Sequence, residues 1–281
     1  LGTKAYGSVS GKFVMADDTF REAYVVSADL VRDVEEALRE GQTDEALALT
    51  ERLHAADIAD LTEALPSEMR DALVHALGRE LDPEMLAELD DQVLDEVLGQ
   101  IEPEMLATHL AELDTDDAAE VLEELDAAGQ KRVLEALPPA DRELVVEALS
   151  YPESSAGRMM QRNYVAVPEY WTVGQIIDWL RDSEDLPEEF YELFVVDPGQ
   201  KPVGAVHLSC AMRTKRPIPV ADIMSAEQKL FPVEMDQEEV AFHFEQYNLT
   251  SAAVIDANGR LIGQITIDDV VDVIEEEHEE D

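Results

Sequence analysis

A leucine or isoleucine recurs every twelve residues through the first half of the chain. The first of these positions is Leu53, the last is Leu149, and Ile101 stands at the centre. Residues typical of turns and helix starts often follow them, as in Pro66-Ser67 and Pro138-Pro139. Because proline is favoured in the first helical turn and Ser, Thr or Asp cap helix starts, each unit predicts one helix of about two turns and a tight turn.

A helix of about two turns is not stable alone in water, so neighbouring units must stack and bury a continuous apolar stripe. The region from about residue 30 to about residue 150 is therefore predicted to form a compact α-helical superhelix. Arrays of this kind usually offer a contact surface and no catalytic pocket. A plain helical bundle with an accidental period is the alternative interpretation.

The pattern changes at Tyr151-Pro152, beyond which short β-branched runs alternate with helical stretches. The predicted strands are residues 164–167, 193–197, 203–206, 230–233, 253–256 and 261–265, and the predicted helices include residues 173–180, residues 238–244 and a last helix that begins at Thr266. Asp197 and Asp256 are separated by the same number of residues as Gly204 and Gly263. This common offset predicts a duplicated strand-and-helix unit of about 60 residues.

The net charge limits the classes of partner. The chain has 65 Asp and Glu against 20 Lys and Arg, which gives a formal charge of −45. Such a charge argues against binding a nucleic-acid backbone or docking on an anionic membrane through a basic patch, and it favours cations. Cys210 is the single cysteine, so the chain has no intrachain disulfide and no cysteine-based zinc site, which suits a reducing, cytosolic compartment. No run of 18 apolar residues occurs in the sequence.

The end of the chain concentrates the negative charge. Residues 268–281 include nine carboxylates, and Asp269, Asp272, Glu276 and Glu280 share one face if the segment is helical. Carboxylates at this spacing repel one another, and a divalent cation reverses that repulsion. Oxygen ligands without His or Cys favour Mg²⁺ or Ca²⁺, and no EF-hand spacing is present. The alternative is a solvated acidic face that binds no specific ion.

The second copy of the duplicated unit resembles a CBS module. The resemblance rests on three segments in this order: Val254-Ile255-Asp256, residues 259–263 between two glycines, and Thr266-x-x-Asp269. Together with the helical repeat, which opens at residues 54–61, and the junction at residues 151–160, the chain resembles the cytosolic part of the MgtE family of magnesium transporters and channels. The resemblance implies a multidomain α and α/β protein, in which an N-terminal α-helical superhelix of short helices precedes a tandem CBS-domain pair.

The implied organisation has five segments. They are a flexible N-terminal segment (1–28), the helical superhelix (29–150), the first CBS domain (151–215), the second CBS domain (216–275) and a truncated start of the connecting helix (276–281). In that family a membrane channel domain follows, and the cytosolic parts form a homodimer through the CBS domains. The resemblance thus places this fragment, expected to be soluble, on the cytoplasmic side of the bacterial inner membrane.

The resemblance also implies that Mg²⁺ ions bridge the helical domain, the CBS pair and the connecting helices. The implied metal ligands in the helical domain are Glu84, Asp116 and Glu120. Those in the CBS part are Asp236, Glu238, Asp269, Asp272, Glu277, Glu280 and Asp281. Asn248 stands where the family has an acidic ligand, and a neutral amide binds Mg²⁺ more weakly than a carboxylate does.

An adenine-nucleotide sensor with a helical docking scaffold is the alternative function. CBS pairs often hold the ribose of ATP through a Ser/Thr-x-x-Asp motif, for which Thr266 and Asp269 are the candidates. The first copy offers residues 209–212 without an aspartate, and Ser209 and Leu249 stand where an arginine and an aromatic residue are expected. An acidic scaffold that binds cations without specificity is a third interpretation. No glycine-rich phosphate loop, nucleophile elbow or HExxH motif occurs, so we do not expect an enzyme.

Overall fold

The computed structural model describes residues 26–183, 186–187 and 190–280, without the side chains of residues 272 and 275–280. Most of the predicted flexible segment, residues 1–25, lies outside the described residues.

Short helices follow one another through the first half of the chain. They are α1 (Ala28–Arg39), α2 (Thr43–Thr50), α3 (Ala55–Ala64), α4 (Ser67–Leu77), α5 (Glu84–Ala87), α6 (Asp91–Leu98), α7 (Pro103–Leu110), α8 (Thr115–Glu123), α9 (Ala127–Ala136) and α10 (Pro139–Ala148). Proline stands at the first position of α7 and α10, where its missing N–H leaves no hydrogen bond unmade. The predicted succession of short helices is confirmed.

The twelve-residue period marks the helix ends. Leu65 and Leu137 directly follow α3 and α9, and Leu77 is the last residue of α4. All three side chains are buried. Helices two apart in sequence pack together, as α3 does with α5, α4 with α6, α7 with α9 and α8 with α10. Pairs of helices two apart in sequence thus bury apolar side chains between them.

The chain divides into two compact units, of which one ends at Ile101 and the other begins at Glu102. The division falls inside the helical repeat, so α7 to α10 belong to the same unit as the strands. The domain boundaries drawn from the sequence remain a prediction.

The second half contains two three-stranded sheets of the same topology. The elements are β1 (Ala166–Pro168), α11 (Val173–Asp182), β2 (Glu192–Val196), β3 (Pro202–His207), α12 (Leu208–Arg213), β4 (Leu230–Pro232), α13 (Gln237–Tyr247), β5 (Ser251–Ile255), β6 (Leu261–Thr266) and α14 (Ile267–Glu280). In each sheet the first strand pairs parallel to the second, and the second pairs antiparallel to the third. The register shifts after Val195 in one sheet and after Val254 in the other, and these two positions are related by the same offset as the paired aspartates and glycines. The duplicated unit is confirmed.

The two copies share part of their interior. Each copy has its own apolar core, and a third buried cluster joins Phe194 and Val196 of the first copy to Ala253 and Leu261 of the second. Contacts of this kind tie the two sheets into one piece, because separating them would expose apolar surface from both.

We expect Phe194→Ala to lower the free energy of unfolding by about 3–5 kcal/mol, because the phenyl ring is 1% exposed and its removal leaves a cavity between the copies. Phe242→Ala serves as the control, since this ring is 56% exposed and its loss is expected to cost less than about 1 kcal/mol. Urea unfolding of the two variants tests the difference. Equal losses of stability would contradict a shared core at Phe194.

Candidate metal site

Two helix starts in the second unit carry clusters of aspartate. Helix α8 follows Asp114 and has Asp116 and Asp117 in its first turn. Helix α14 follows Thr266 and has Asp268 and Asp269 in its first turn. Aspartate is favoured in such positions because the unpaired N–H groups and the helix dipole stabilise negative charge. Each cluster thus has a local structural reason, and the site arises where the two clusters meet.

The Asp269 carboxylate is fixed by three hydrogen bonds. Its Oδ2 accepts from the backbone N–H of Thr266 at 2.8 Å and from the Thr266 hydroxyl at 3.0 Å. Its Oδ1 accepts from the side-chain amide of Gln161 at 3.0 Å. These donors set the orientation of the carboxylate before any ligand arrives.

Asp116 is the buried member of the pair. The residue is 9% exposed, and its Oδ1 is buried without a hydrogen-bond partner among the side chains that the structure describes. Burial raises the pKa of Asp116 well above its usual value, and the nearby Asp269 carboxylate is the second cause. An unpartnered buried oxygen next to a second carboxylate costs folding free energy, because burial removes the solvation of the charged form and the second carboxylate repels it.

The other acids of the two clusters add to this repulsion. Burial raises the pKa of Asp269 to about 7, opposed by the Thr266 hydrogen bonds and increased by Asp268. The pKa of Asp114 is raised overall, mainly by burial. A hydrogen bond from Asn163 opposes the rise, and the charge of Asp268 adds to it. The first turns of α8 and α14 therefore lie close enough for their charges to interact.

A divalent cation fits this arrangement. In the described part of the chain, no three or more His, Cys, Asp or Glu side chains come together in a group that could hold a metal ion. Mg²⁺ does not require such a group, because it keeps several water molecules and uses one or two carboxylates. The oxygen-only donor set and the unpartnered Asp116 Oδ1 suit Mg²⁺ better than a metal that prefers nitrogen or sulfur ligands.

Residues 158–163 hold the two clusters together. Arg158 pairs with Glu123 of α8, and Asn163 donates to the Asp114 carboxylate at 2.7 Å. Arg162 lies 2.9 Å from the Glu147 carboxylate of α10 and donates to the carbonyl oxygen of Ile262. Gln161, between them, donates to Asp269. The segment thus contacts both the last helices of the repeat and the second copy of the duplicated unit.

The remaining implied metal ligands are spread over several elements. Glu120 lies on α8 one turn after Asp116 and is exposed. Asp236 is the N-cap of α13 and accepts from the backbone N–H of Glu238, and both residues are exposed. Glu84 begins α5 in the first unit. The structure brings Asp116 and Asp269 together. The role of these two residues and of the other four as metal ligands stays a prediction.

The last implied ligands lie at the end of the chain. Asp272, Glu277 and Glu280 fall on α14, and their side chains are outside the described part. Asp281 lies outside the described residues. All four stay predictions.

The sequence analysis missed three residues of the site, namely Asp114, Gln161 and Asn163. Asp114 precedes α8 and had a sufficient explanation as a turn residue. Gln161 and Asn163 follow a methionine pair in a segment without regular structure, and their partners are between 49 and 108 residues away. One signal could have indicated a contact segment. Two arginines, Arg158 and Arg162, and these two amide residues stand close together at the junction between the two halves of the chain.

The side chains of the candidate nucleotide-binding residues already hydrogen-bond within the protein. Thr266 and Asp269 hydrogen-bond to each other, and Gln161 contacts both. Asn248 ends α13 in the left-handed conformation, with φ of 50°, which asparagine tolerates better than most residues. A helix cap therefore explains its presence where an acidic ligand is expected.

Within the residues that the structure describes, every helix is too short or too polar to cross a bilayer.

Comparison with known proteins identifies the family. A family model described as the MgtE intracellular N domain matches residues 53–154, and a CBS domain model matches residues 220–276. The crystal structure of the cytosolic domain of the Mg²⁺ channel MgtE in complex with ATP superposes with a TM-score of 0.79 at 33% identity, covering 86% of this chain and 99% of that one. This chain belongs to the MgtE family. The family resemblance and the fold class inferred from the sequence are both confirmed.

Other relatives agree with this assignment. The crystal structure of the soluble part of a magnesium transporter superposes with a TM-score of 0.78 at 26% identity, covering 89% of this chain and 98% of that one. The magnesium transporter MgtE of Thermus thermophilus is 37% identical over 131 residues, which are 47% of this chain and 29% of that protein. MgtE of Bacillus subtilis is 32% identical over 133 residues, which are 47% of this chain and 30% of that protein. The matched stretch spans less than a third of these curated relatives, whose names describe transporters and no enzyme.

We expect the wild-type chain in EDTA to lose stability relative to Asp269→Asn as the pH rises from about 4 through about 7. The pKa of Asp269 is raised to about 7 in the folded state, so the folded chain binds this proton more tightly than the unfolded chain, and that advantage disappears once the carboxyl ionises. Melting temperatures of both proteins across this range test the difference. Parallel pH profiles would contradict it.

Proposed function

We propose that this chain is the cytosolic Mg²⁺-sensing region of a magnesium transporter or channel, with its own membrane channel domain as the regulated partner. The observation that carries the proposal is the buried, unpartnered Oδ1 of Asp116 beside the Asp269 carboxylate. Membership of the MgtE family supports it, because the solved relatives are named as parts of a magnesium transporter and a Mg²⁺ channel.

The mechanism is an electrostatic switch. Without a cation, the carboxylates of α8 and α14 repel each other when they are ionised, and this repulsion disfavours the compact arrangement. A Mg²⁺ ion between Asp116 and Asp269 converts this repulsion into attraction and stabilises the compact arrangement. The ion shifts the equilibrium only by the difference between its affinities for the compact and the open arrangement.

Further ions add to the response in this proposal. Glu120 follows Asp116 by one turn, and the implied ligands Glu84, Asp236, Glu238, Asp272, Glu277, Glu280 and Asp281 give additional loose sites that retain water. Some of these sites join the two subunits of a homodimer through the CBS domains. Several ions that bind only the compact form make the response steep, because each contributes its own differential affinity.

We expect a cooperative, EDTA-reversible decrease in the radius of gyration when this chain is titrated with Mg²⁺ in the millimolar range. Asp116→Asn and Asp269→Asn are each expected to raise the Mg²⁺ midpoint at least about tenfold, because each removes one of two carboxylate ligands. Small-angle scattering at constant ionic strength, set with NaCl, measures the response.

Asp222→Asn is the matched control, since it removes one negative charge from an exposed residue of the same unit. Its midpoint should stay within about twofold of the wild type, because distant exposed charges are screened. A compaction that NaCl reproduces equally well would favour the unspecific acidic scaffold. A response that all three variants share would show that the Asp116–Asp269 pair is not the sensor.

Adenine-nucleotide sensing is the second candidate. It is favoured by the Thr266–Asp269 motif and by the relative solved in complex with ATP. It is opposed by the net charge of −45, by the missing aspartate in the first copy and by the hydrogen bonds that already occupy Asp269.

We expect no saturable ATP binding by calorimetry up to about 1 mM nucleotide at fixed free Mg²⁺, because the acidic chain repels a polyphosphate. Saturable binding that Thr266→Ala abolishes would instead make the nucleotide a ligand of the second copy. The Mg²⁺ titration without nucleotide is the control, since it separates an effect of ATP itself from chelation of the ion.

A further inference from the structure

We propose that Gln161 is the positioning residue that orients the Asp269 carboxylate for a Mg²⁺ ion, an inference that rests on the proposed function. Its amide donates to the Asp269 Oδ1 at 3.0 Å and lies 3.3 Å from the hydroxyl of Thr266, the residue that holds the other carboxylate oxygen. Gln161 is 8% exposed, so water does not compete freely for these bonds.

The chemistry of the amide suits this task. A glutamine side chain donates a hydrogen bond to a carboxylate without neutralising its charge, whereas a lysine or arginine would act as the counterion itself. Asp269 therefore has a fixed orientation, and its charge, once the carboxyl is ionised, stays available to a cation. Residues that hydrogen-bond to metal ligands from outside the coordination shell typically contribute about 10–100-fold to metal affinity.

The duplicated fold contains an internal comparison. Gln161 and Gln264 form an isolated antiparallel bridge. Ser225 and Ala205 form the same bridge in the other copy. Ala205 is the counterpart of Gln264 by the offset between the copies. Ser225 therefore occupies the position of Gln161. By the same offset, Cys210 occupies the position of Asp269, so the alignment of residues 209–212 with the Thr266–Asp269 motif was wrong by two residues. The glutamine and the aspartate occur together in one copy, and both are missing from the other.

The backbone at the two bridges is nearly the same. A Cβ atom on Gly263 would lie 2.9 Å from the Gln161 carbonyl oxygen, and one on Gly204 would lie 2.8 Å from the Ser225 carbonyl oxygen. The close approach of the chains is thus maintained in the first copy with a serine. Glutamine is not needed to form the bridge, so its side chain requires another explanation, and the bond to Asp269 supplies one.

Gln264 is the matched control on the same bridge. It is 6% exposed, and its side-chain amide donates to the Asn163 carbonyl oxygen at 2.6 Å. Gln161→Met and Gln264→Met each remove one buried amide donor and keep a similar volume. Only the first removes a bond to Asp269, so the two variants separate positioning of the carboxylate from general packing.

The experiment is a Mg²⁺ titration followed by small-angle scattering, with melting temperatures in EDTA for each variant. We expect Gln161→Met to raise the Mg²⁺ midpoint about tenfold or more and Gln264→Met to change it less than about threefold. Both variants should lower the melting temperature in EDTA, because Gln161→Met loses the bonds to Asp269 and Thr266 and Gln264→Met loses the bond to the Asn163 carbonyl. Equal midpoints for the two variants would overturn the role of Gln161.

Gln161→Lys gives a second, independent readout. An ammonium group at this position would face the Asp269 carboxylate and replace the cation, so this variant should be compact in EDTA and respond little to Mg²⁺. A variant with the radius of the wild type in EDTA and a normal Mg²⁺ midpoint would contradict the proposal. A merely structural glutamine predicts loss of stability and no compaction.

The failures of the two proposals are distinguishable. A wild-type chain without an EDTA-reversible Mg²⁺ response overturns the proposed function and, with it, the role of Gln161. A wild-type response that Asp116→Asn abolishes, combined with equal midpoints for Gln161→Met and Gln264→Met, overturns the role of Gln161 alone.

Discussion

The electrostatic repulsion between Asp116 and Asp269 is the constraint on which the second unit depends. Burial raises the pKa of both groups, and the Oδ1 of Asp116 has no partner to offset the cost of its charge. A fold does not place two carboxylates in this way for stability alone, since hydrophobic residues would pack there at lower cost. In the proposed mechanism a cation relieves this repulsion, and the surrounding contacts keep the pair in place.

The contacts that hold the pair come from one short segment and one shared core. Residues 158–163 reach α8, α10 and the start of α14 through Arg158, Arg162, Gln161 and Asn163. The cluster around Phe194 fixes the two sheets to each other, so the start of α14 does not move independently of the first copy. The local cost at the carboxylates is therefore offset by packing and hydrogen bonds elsewhere in the same unit.

Patterns with a period were readable from the sequence, and single contacts were not. The twelve-residue leucine period predicted the short helices, and the constant offset between the copies predicted the two sheets, because burial repeats with the geometry of the chain. Asp269 was named from the acidic face of the last helix and from the family resemblance. Asp116 was named from the resemblance alone, without a reason to expect it to be buried. The bond between Gln161 and Asp269 joins residues 108 apart, and no local pattern indicates a partner at that distance.

The charged site lies on one side of a nearly symmetric pair. The duplication gives both copies the same sheet and the same bridge, yet Asp269 and Gln161 have Cys210 and Ser225 as their counterparts. A force on Asp269 therefore acts on the second copy alone. Because the shared core joins the two sheets, the first copy receives that force through packing around Phe194 and not through a charged site of its own.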